Sequence, residues 1–297
     1  MTKLEWCRAN APEALKEEDD EAILEMMSSS YERYCNQEKE TLIEGSIVNE
    51  INNYLDYMVQ ELANVFGTKL TFKGGYMLTK LMASRARQTT DIDFSILHEE
   101  VYTEIKSKLR EIAEHFVSLN IIDTYKIKEE IKPQMSGGVD MYKNGQKILG
   151  VDVGWHDTTY GTIIKDLDVA TVQSFSIERM LADKITAILS RKRFRRPKDL
   201  YDLFSITECF TFDAKKISDY MIRRGSPVDW QNYPFTDEVL EQYEKAYNKL
   251  NLTSIYKGGS LSKPDFNFTY SRFCVVAEKV RDLDDGTVWD PVGHYFK

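Results

Sequence analysis

Asp91 and Asp93, one residue apart in TDIDFSI, are the side chains of this sequence best placed to do chemistry. Successive side chains of a strand point to opposite faces, so the two carboxylates share one face while Ile92 and Phe94 take the other. Adjacent carboxylates repel unless a cation lies between them. Magnesium suits such a pair, being a hard ion held by one or two carboxylates with substrate phosphates completing its shell; manganese takes the same ligands. Gly75 lies sixteen residues before Asp91, and Gly74 and Gly75 open an apolar-periodic run, YMLTKLMAS. Glycines let a backbone approach a phosphate closely, and a helix start supplies unpaired N–H groups and the positive end of its dipole. Asp152, between Val151 and Val153 in ILGVDVGW, repeats the apolar-flanked pattern on a second strand. Three carboxylates from two strands could hold two metal ions, polarise an attacking hydroxyl and stabilise a departing pyrophosphate.

Each signal is weak alone. A D-x-D commonly caps a turn or faces solvent, and a glycine pair is commonly just a turn; the order of strand, glycines, helix, aspartate pair and later strand aspartate carries the specificity. No Lys–Ser/Thr follows the glycines, which excludes a Walker-type phosphate loop. DIDFSILHEEVY lacks the glycine at position six and the glutamate at position twelve of an EF-hand loop. His98, His115, His156 and His294 show no ligand spacing, and His156 in GWHD reads as structural. Cys7, Cys35, Cys209 and Cys274 form no C-x-x-C pair, so neither a zinc ribbon nor a disulfide framework is expected.

The elements that must position these residues follow from periodicity. Residues 12–40 are acidic and read as one or two solvated helices. Residues 46–66 place Ile47, Ile51, Leu55, Met58, Leu62 and Val65 at three- and four-residue steps, an amphipathic helix closed by Gly67. KLTF (69–72) reads as a strand, 76–84 as a helix, DIDFSIL (91–97) as a strand and 101–119 as a helix. IDTYKIKEEI and GVDMYKNGQKILGVDVGW read as strands, with KNGQ a hairpin turn. From residue 177 onward every periodic run is helical. A charged, acidic N-terminus is not a signal peptide, and no apolar run is long enough to span a bilayer, so a cytoplasmic protein without a membrane partner is expected. The net charge of −9 argues against a general nucleic-acid coat but leaves room for a local basic patch.

The order hG[GS], DhDh, hDh resembles that of polymerase-β-like nucleotidyltransferases. Lys73–Gly75 and TDIDFSI are most similar to the AbiEii/AbiGii toxin family of bacterial abortive-infection systems. ERMLADKITAILSRKRFRRPKDLYDLF (178–204) resembles that family's E-x-x-x-A-x-K-x-x-A helix, its following Arg and its R-D-x-x-D-L segment; Glu178, Ala182, Lys184, Ala187, Arg191, Asp199, Asp202 and Leu203 match. Lys198 replaces the usual Arg before Asp199, RFRR lengthens the link, and Thr89–Thr90 replace Ser-Glu before the aspartate pair. The resemblance covers about residues 46–204. It implies an α+β fold, with a polymerase-β-like nucleotidyltransferase mixed sheet followed by a C-terminal helical bundle. The expected divisions are an N-terminal helical extension over 1–45, a nucleotidyltransferase core over 46–175 and a helical domain over 176–297. It implies a catalytic set of Asp91, Asp93, Asp152 and Lys184. The aspartates would bind Mg2+ or Mn2+, while Lys73, Gly74, Gly75, Lys184, Arg191 and Asp202 would bind the nucleotide. The implied reaction moves a nucleoside monophosphate from NTP to an acceptor, with RNA, and tRNA foremost, as that acceptor and a cognate antitoxin as partner. A protein or small-molecule acceptor, or an inactive nucleotide-binding regulator, is the alternative.

From Lys184 to Lys198 lie seven basic residues and no acidic one. Lys184 and Arg191, seven residues apart, would share a helix face able to reach nucleotide phosphates. Asp199 and Asp202, just after Pro197, suit the first turn of a helix, where Asp199 would pair with nearby arginines. RKRFRR (191–196) is either an ordinary solvated loop or, in an acidic chain, the leading site for an RNA backbone, through Arg193, Arg195 and Arg196. Each released phosphate contact carries a salt slope of roughly −0.7 to −0.9. Replacing Arg193, Arg195 and Arg196 by Gln should therefore weaken RNA binding and flatten its salt dependence, leaving NTP binding nearly unchanged. A salt titration of RNA affinity with unaltered slope would place the RNA elsewhere.

Overall fold

The amphipathic run 46–66 forms the longest helix, and the sheet is built around what that helix buries. The computed structural model describes residues 2–11, 19–24, 27, 45–129, 136–190, 196–223, 230, 233–250, 252, 263–282 and 288–297. Within these, α1 (Lys3–Asn10) precedes α2 (Gly45–Phe66), β1 (Thr71–Lys73), α3 (Gly74–Met82), β2 (Asp91–Ile96) and α4 (Val101–Ser118). Five strands follow: β3 (Thr124–Lys128), β4 (Gly137–Lys143), β5 (Gln146–Trp155), β6 (Thr162–Asp166) and β7 (Thr171–Phe175). Then come α5 (Ile177–Leu189), α6 (Pro197–Cys209), α7 (Ala214–Arg223), α8 (Asp237–Asn248), α9 (Phe266–Asp282) and a hairpin of β8 (Trp289–Asp290) and β9 (Tyr295–Phe296).

On α2 the buried stripe is Ile51, Leu55, Met58, Val59, Leu62 and Phe66. Val65, expected on that stripe, is 57% exposed; Phe66, the next residue, takes its place. Gly67 ends the helix at φ +52, a conformation that favours glycine. The first strand begins at Thr71 rather than residue 69, because Gly67–Lys69 form a 3-10 turn.

The seven-stranded sheet has the order β3-β4-β5-β2-β1-β7-β6. β2 runs parallel to β5 and β1 parallel to β7, while the remaining neighbours are antiparallel, so the sheet is mixed. The β4–β5 hairpin turns through Asn144 (φ +50) and Gly145 (φ +73), two successive positive φ values that match the strands' right-handed twist. Phe72, Ile92, Phe94, Val139, Met141, Val151 and Val153 are fully buried. One core runs from Ile51 on α2 to Trp289 on β8, and a small separate cluster joins Cys7, Ile23 and Met27 near the N-terminus.

Two expectations from periodicity need correction. β6 and β7 were not signalled, because Thr171, Gln173 and Ser174 break the apolar pattern of β7 and β6 pairs on one side only. The second half is not purely helical: Trp289 of the terminal hairpin is fully buried, stacks on Phe212 at 5.7 Å and donates through Nε1 to the Thr207 carbonyl at 2.8 Å. Among the described residues no helix is long and apolar enough to cross a membrane.

Phe94, wedged beneath the aspartate strand 5.6 Å from Phe72, tests this frame. Phe94→Ala should destabilise the protein by about 3–5 kcal/mol, measured by denaturant unfolding.

Candidate active site

Register places the aspartates. In the parallel β2–β5 pair, Asp93 lies opposite Asp152 and Asp91 opposite Gly150; in the antiparallel β1–β2 pair, Lys73 lies opposite Asp93. Lys73, Asp93 and Asp152 thus form a row across three adjacent strands, on the face opposite the buried Phe72, Ile92, Phe94, Val151 and Val153. The structure brings Asp91, Asp93 and Asp152 to one face beside the start of α3.

The glycines are fitted to these carboxylates. Gly74 has φ +70, and a Cβ there would fall on the Asp93 carboxylate. At Gly75 a Cβ would stand 2.9 Å from the Thr89 hydroxyl, and Thr89 Oγ1 accepts from the Asp91 N–H at 3.3 Å. Gly150 leaves room for Asp91 and for Lys147, whose Nζ would be 2.7 Å from a Cβ at that position. His156 folds back over Gly154, so its ring lies on the same face as Asp152. That contact adds a local role for His156 to the structural reading made from sequence.

The charges around the row are arranged unequally. Lys147 Nζ is 2.9 Å from Asp91 Oδ1 and 2.8 Å from Asp140 Oδ1. Lys128 pairs with Asp152 and stands 3.8 Å from Asp140. Burial would push the Asp152 carboxyl up, but Lys128 beside it more than offsets this and leaves it below the usual range. Asp93 is the exception. Burial and the neighbouring Asp152 and Asp91 charges push it up to about 6, although Lys73 and Lys184 oppose the rise.

At such a carboxylate the neighbouring lysines do not offset burial and the like charges, and the set of hard oxygens around it suits Mg2+ or Mn2+. Among the described residues no three His, Cys, Asp or Glu side chains are gathered in a metal-holding arrangement, and Lys128 and Lys147 pair with the outer carboxylates. The residues fit a divalent ion in donor chemistry and charge, and the side chains would have to turn inward to hold it.

Lys184, expected to face phosphates, lies in a buried ion network. Its Nζ is 2.6 Å from Asp199 Oδ1 and 2.6 Å from Asp202 Oδ2. Burial would lower the Lys184 pKa, but the two aspartates outweigh it and hold the ammonium protonated. Asp202 also receives Arg87 Nε at 2.9 Å and Nη2 at 3.0 Å. Burial opposes ionisation of Asp202, yet Arg87 and Lys184 pull it down to about 2. Asp199 has the expected arginine neighbour in Arg196 at 3.8 Å, and a closer partner, Lys184, that the sequence did not announce. Arg191, Arg193 and Arg195 lie outside the described residues, so the shared face of Lys184 and Arg191 is not described.

Four residues of this arrangement were not singled out from sequence. Asp140, between Val139 and Met141, carries the same apolar-flanked signal as Asp152 and could have been found by it. Lys128 and Lys147 acquire their partners through strand register. Arg87 meets Asp202 across 115 residues, and no local pattern announces that contact.

No curated protein matches the sequence. Among solved structures, the MenT4 nucleotidyltransferase toxin of Mycobacterium tuberculosis H37Rv has a similar fold, with TM-score 0.50, 16% identity, and coverage of 85% of this chain and 90% of that one. JHP933 from Helicobacter pylori aligns with TM-score 0.36 and 14% identity over 79% of this chain and 97% of that chain.

A divalent ion bound by Asp93 must displace its proton. Because the folded pKa of about 6 lies above the usual 3.8, Asp93 favours the metal-free fold when protonated, and that contribution is lost as pH rises through about 6. Mn2+ affinity, read by electron paramagnetic resonance, should be nearly flat above about pH 6 and fall by up to about tenfold per unit below it. A flat profile through that range would remove Asp93 from the ligand set.

The family described as nucleotidyl transferase AbiEii toxin, type IV toxin–antitoxin system, matches residues 57–269, a span that includes the aspartate pair, Asp152, Lys184 and Asp202, and the chain belongs to that family of nucleotidyltransferase toxins.

Proposed function

We propose that this toxin transfers a nucleoside monophosphate from NTP to an RNA acceptor, tRNA foremost, in a Mg2+-dependent reaction that serves abortive infection against phage. The observation that carries the reading is the row Lys73, Asp93, Asp152 with Gly74 fitted against the Asp93 carboxylate. Asp91, Asp93 and Asp152 would hold the cation, which supplies charge for the phosphates and for the attacking hydroxyl. Gly74 brings the backbone at the start of α3 close to Asp93 without a side chain in the way, so the N–H groups of that turn can donate to phosphate oxygens. Lys73 lies in the same row, and Lys184 lies close enough to lower the Asp93 pKa, so two cations flank the phosphates' path. An ammonium has three donors; Asp199 and Asp202 engage two on Lys184, leaving one for a substrate oxygen. Such charges, fixed before the reaction, stabilise the transferring phosphoryl group most where its charge grows.

Support for an RNA acceptor comes from the basic run 191–196; of this run only Arg196 is described, at the entrance to α6 with its side chain 61% exposed. The toxin–antitoxin family makes a cognate antitoxin protein the expected partner.

Labelled NTPs, Mg2+ and total RNA should give labelled tRNA with the wild-type protein. Asp93→Asn, which keeps the shape and removes the charge, should cut transfer by about two orders of magnitude or more with unfolding unchanged and should relieve toxicity. Wild-type transfer by Asp93→Asn would overturn the reading, and label in protein or small molecules alone would move the acceptor to that class.

A further inference from the structure

We propose that Arg87 is a positioning residue for the nucleotide phosphates, holding Asp202 and through it the Lys184 ammonium beside the glycine turn. The proposal rests on the nucleotidyltransferase reading above. Arg87 is not on a catalytic strand; it belongs to the connection between α3 and β2. Its guanidinium nevertheless grips both carboxylate oxygens of Asp202, at 2.9 and 3.0 Å, and Asp202 is 2% exposed. Nη2 of the same group would stand 3.6 Å from a Cβ on Gly75, so the guanidinium lies against the first turn of α3. The Arg87 carbonyl accepts from Thr79 Oγ1 of α3 at 3.4 Å. Two residues on, Thr89 packs against Gly75 and bonds the backbone of Asp91. Residues 87–89 therefore touch the glycine turn, the aspartate strand and α6 at once.

The charge count explains the need for this cation. Asp199 and Asp202 carry two negative charges; Lys184 and Arg87 are the buried cations that meet them, while Arg196, largely exposed, reaches Asp199 only at 3.8 Å. Without Arg87, Asp202 would keep only its share of the Lys184 ammonium. The buried part of the network would then hold a net negative charge beside the place where a polyphosphate must arrive, and Lys184 would be drawn away from it. The fork matters as well as the charge. A guanidinium fixes both oxygens of a carboxylate in one plane, whereas a lysine in its place supplies a point charge without that orientation.

The test is equilibrium binding of NTP with Mg2+ to the full chain, with thermal unfolding followed in parallel. Arg87→Lys keeps the charge and loses the fork; Arg87→Met loses both and is the variant at risk of misfolding, because it strands a buried carboxylate. Arg87→Lys should weaken NTP binding by about tenfold or more while the protein remains folded, and should raise KM far more than it lowers kcat. If Arg87 acts through Asp202, Arg87→Lys should add little to the loss already caused by Asp202→Asn. A folded Arg87→Lys with wild-type NTP affinity, or effects of the two substitutions that simply add, would overturn the proposal and leave Arg87 as a structural ion pair. Absence of NTP binding by the wild-type protein would instead overturn the nucleotide reading itself, and this proposal with it.

Discussion

Everything at the site depends on like charges placed opposite one another. The parallel pairing of β2 with β5 sets Asp93 directly across from Asp152, with Asp91 one step along the same face. Opposed carboxylates weaken a strand pair unless something positive intervenes, so the hydrophobic face beneath must hold the register against them. Phe72, Ile92, Phe94, Val151 and Val153 form that counterweight, all fully buried. A slip of one residue would carry Ile92 into the polar face and Asp93 into the core. β2 is also flanked on both sides, by β1 and β5, which leaves no free edge along which it could move.

The positive charges lie closest to the outer carboxylates, while burial and like charges dominate at the central one. Lys147 serves Asp91 and Asp140, Lys128 serves Asp152, and Asp93 keeps a raised pKa among them. A second, more deeply buried balance of Arg87, Lys184, Asp199 and Asp202 ties the strand approach to the two helices that follow the sheet. Buried pairs of this kind contribute little net stability, because desolvation offsets their attraction. What they fix is geometry, and the geometry here joins segments distant in sequence.

How far the sequence revealed this depended on whether the signal was local. The helices α2 and α4 and the strands β2 and β5 announce themselves by period, since each buries one stripe or one face. Asp93 and Asp152 stand out because a carboxylate between two large apolar residues is costly unless it has a use, and Asp91 because it shares the face of Asp93 two residues away. Asp140 obeys the same rule at Val139 and Met141 and was overlooked beside the better-known spacing. The polar Thr171, Gln173 and Ser174 hid β7, and a two-residue strand such as β8 has no period to detect. The partners of Lys147, Lys128 and Arg87 could not be read at all, because strand register and helix docking decide them. Lys184 enters by resemblance, and its two aspartate partners emerge only when α5 and α6 pack together.

The far end of α6 has its own consequence. Asp199 and Asp202 occupy its first two turns, while its last turn is bolted down by Trp289 on the Thr207 carbonyl and by Arg272 on the Thr207 hydroxyl and Glu208. Arg272 also lies 5.2 Å from the centre of the Trp289 ring, so the two fastenings brace each other. A helix of 13 residues is about 20 Å long and stiff on that scale. The terminal hairpin, well away from the aspartates in sequence, thus anchors one end of the same stiff rod whose other end presents Asp199 and Asp202 to Lys184.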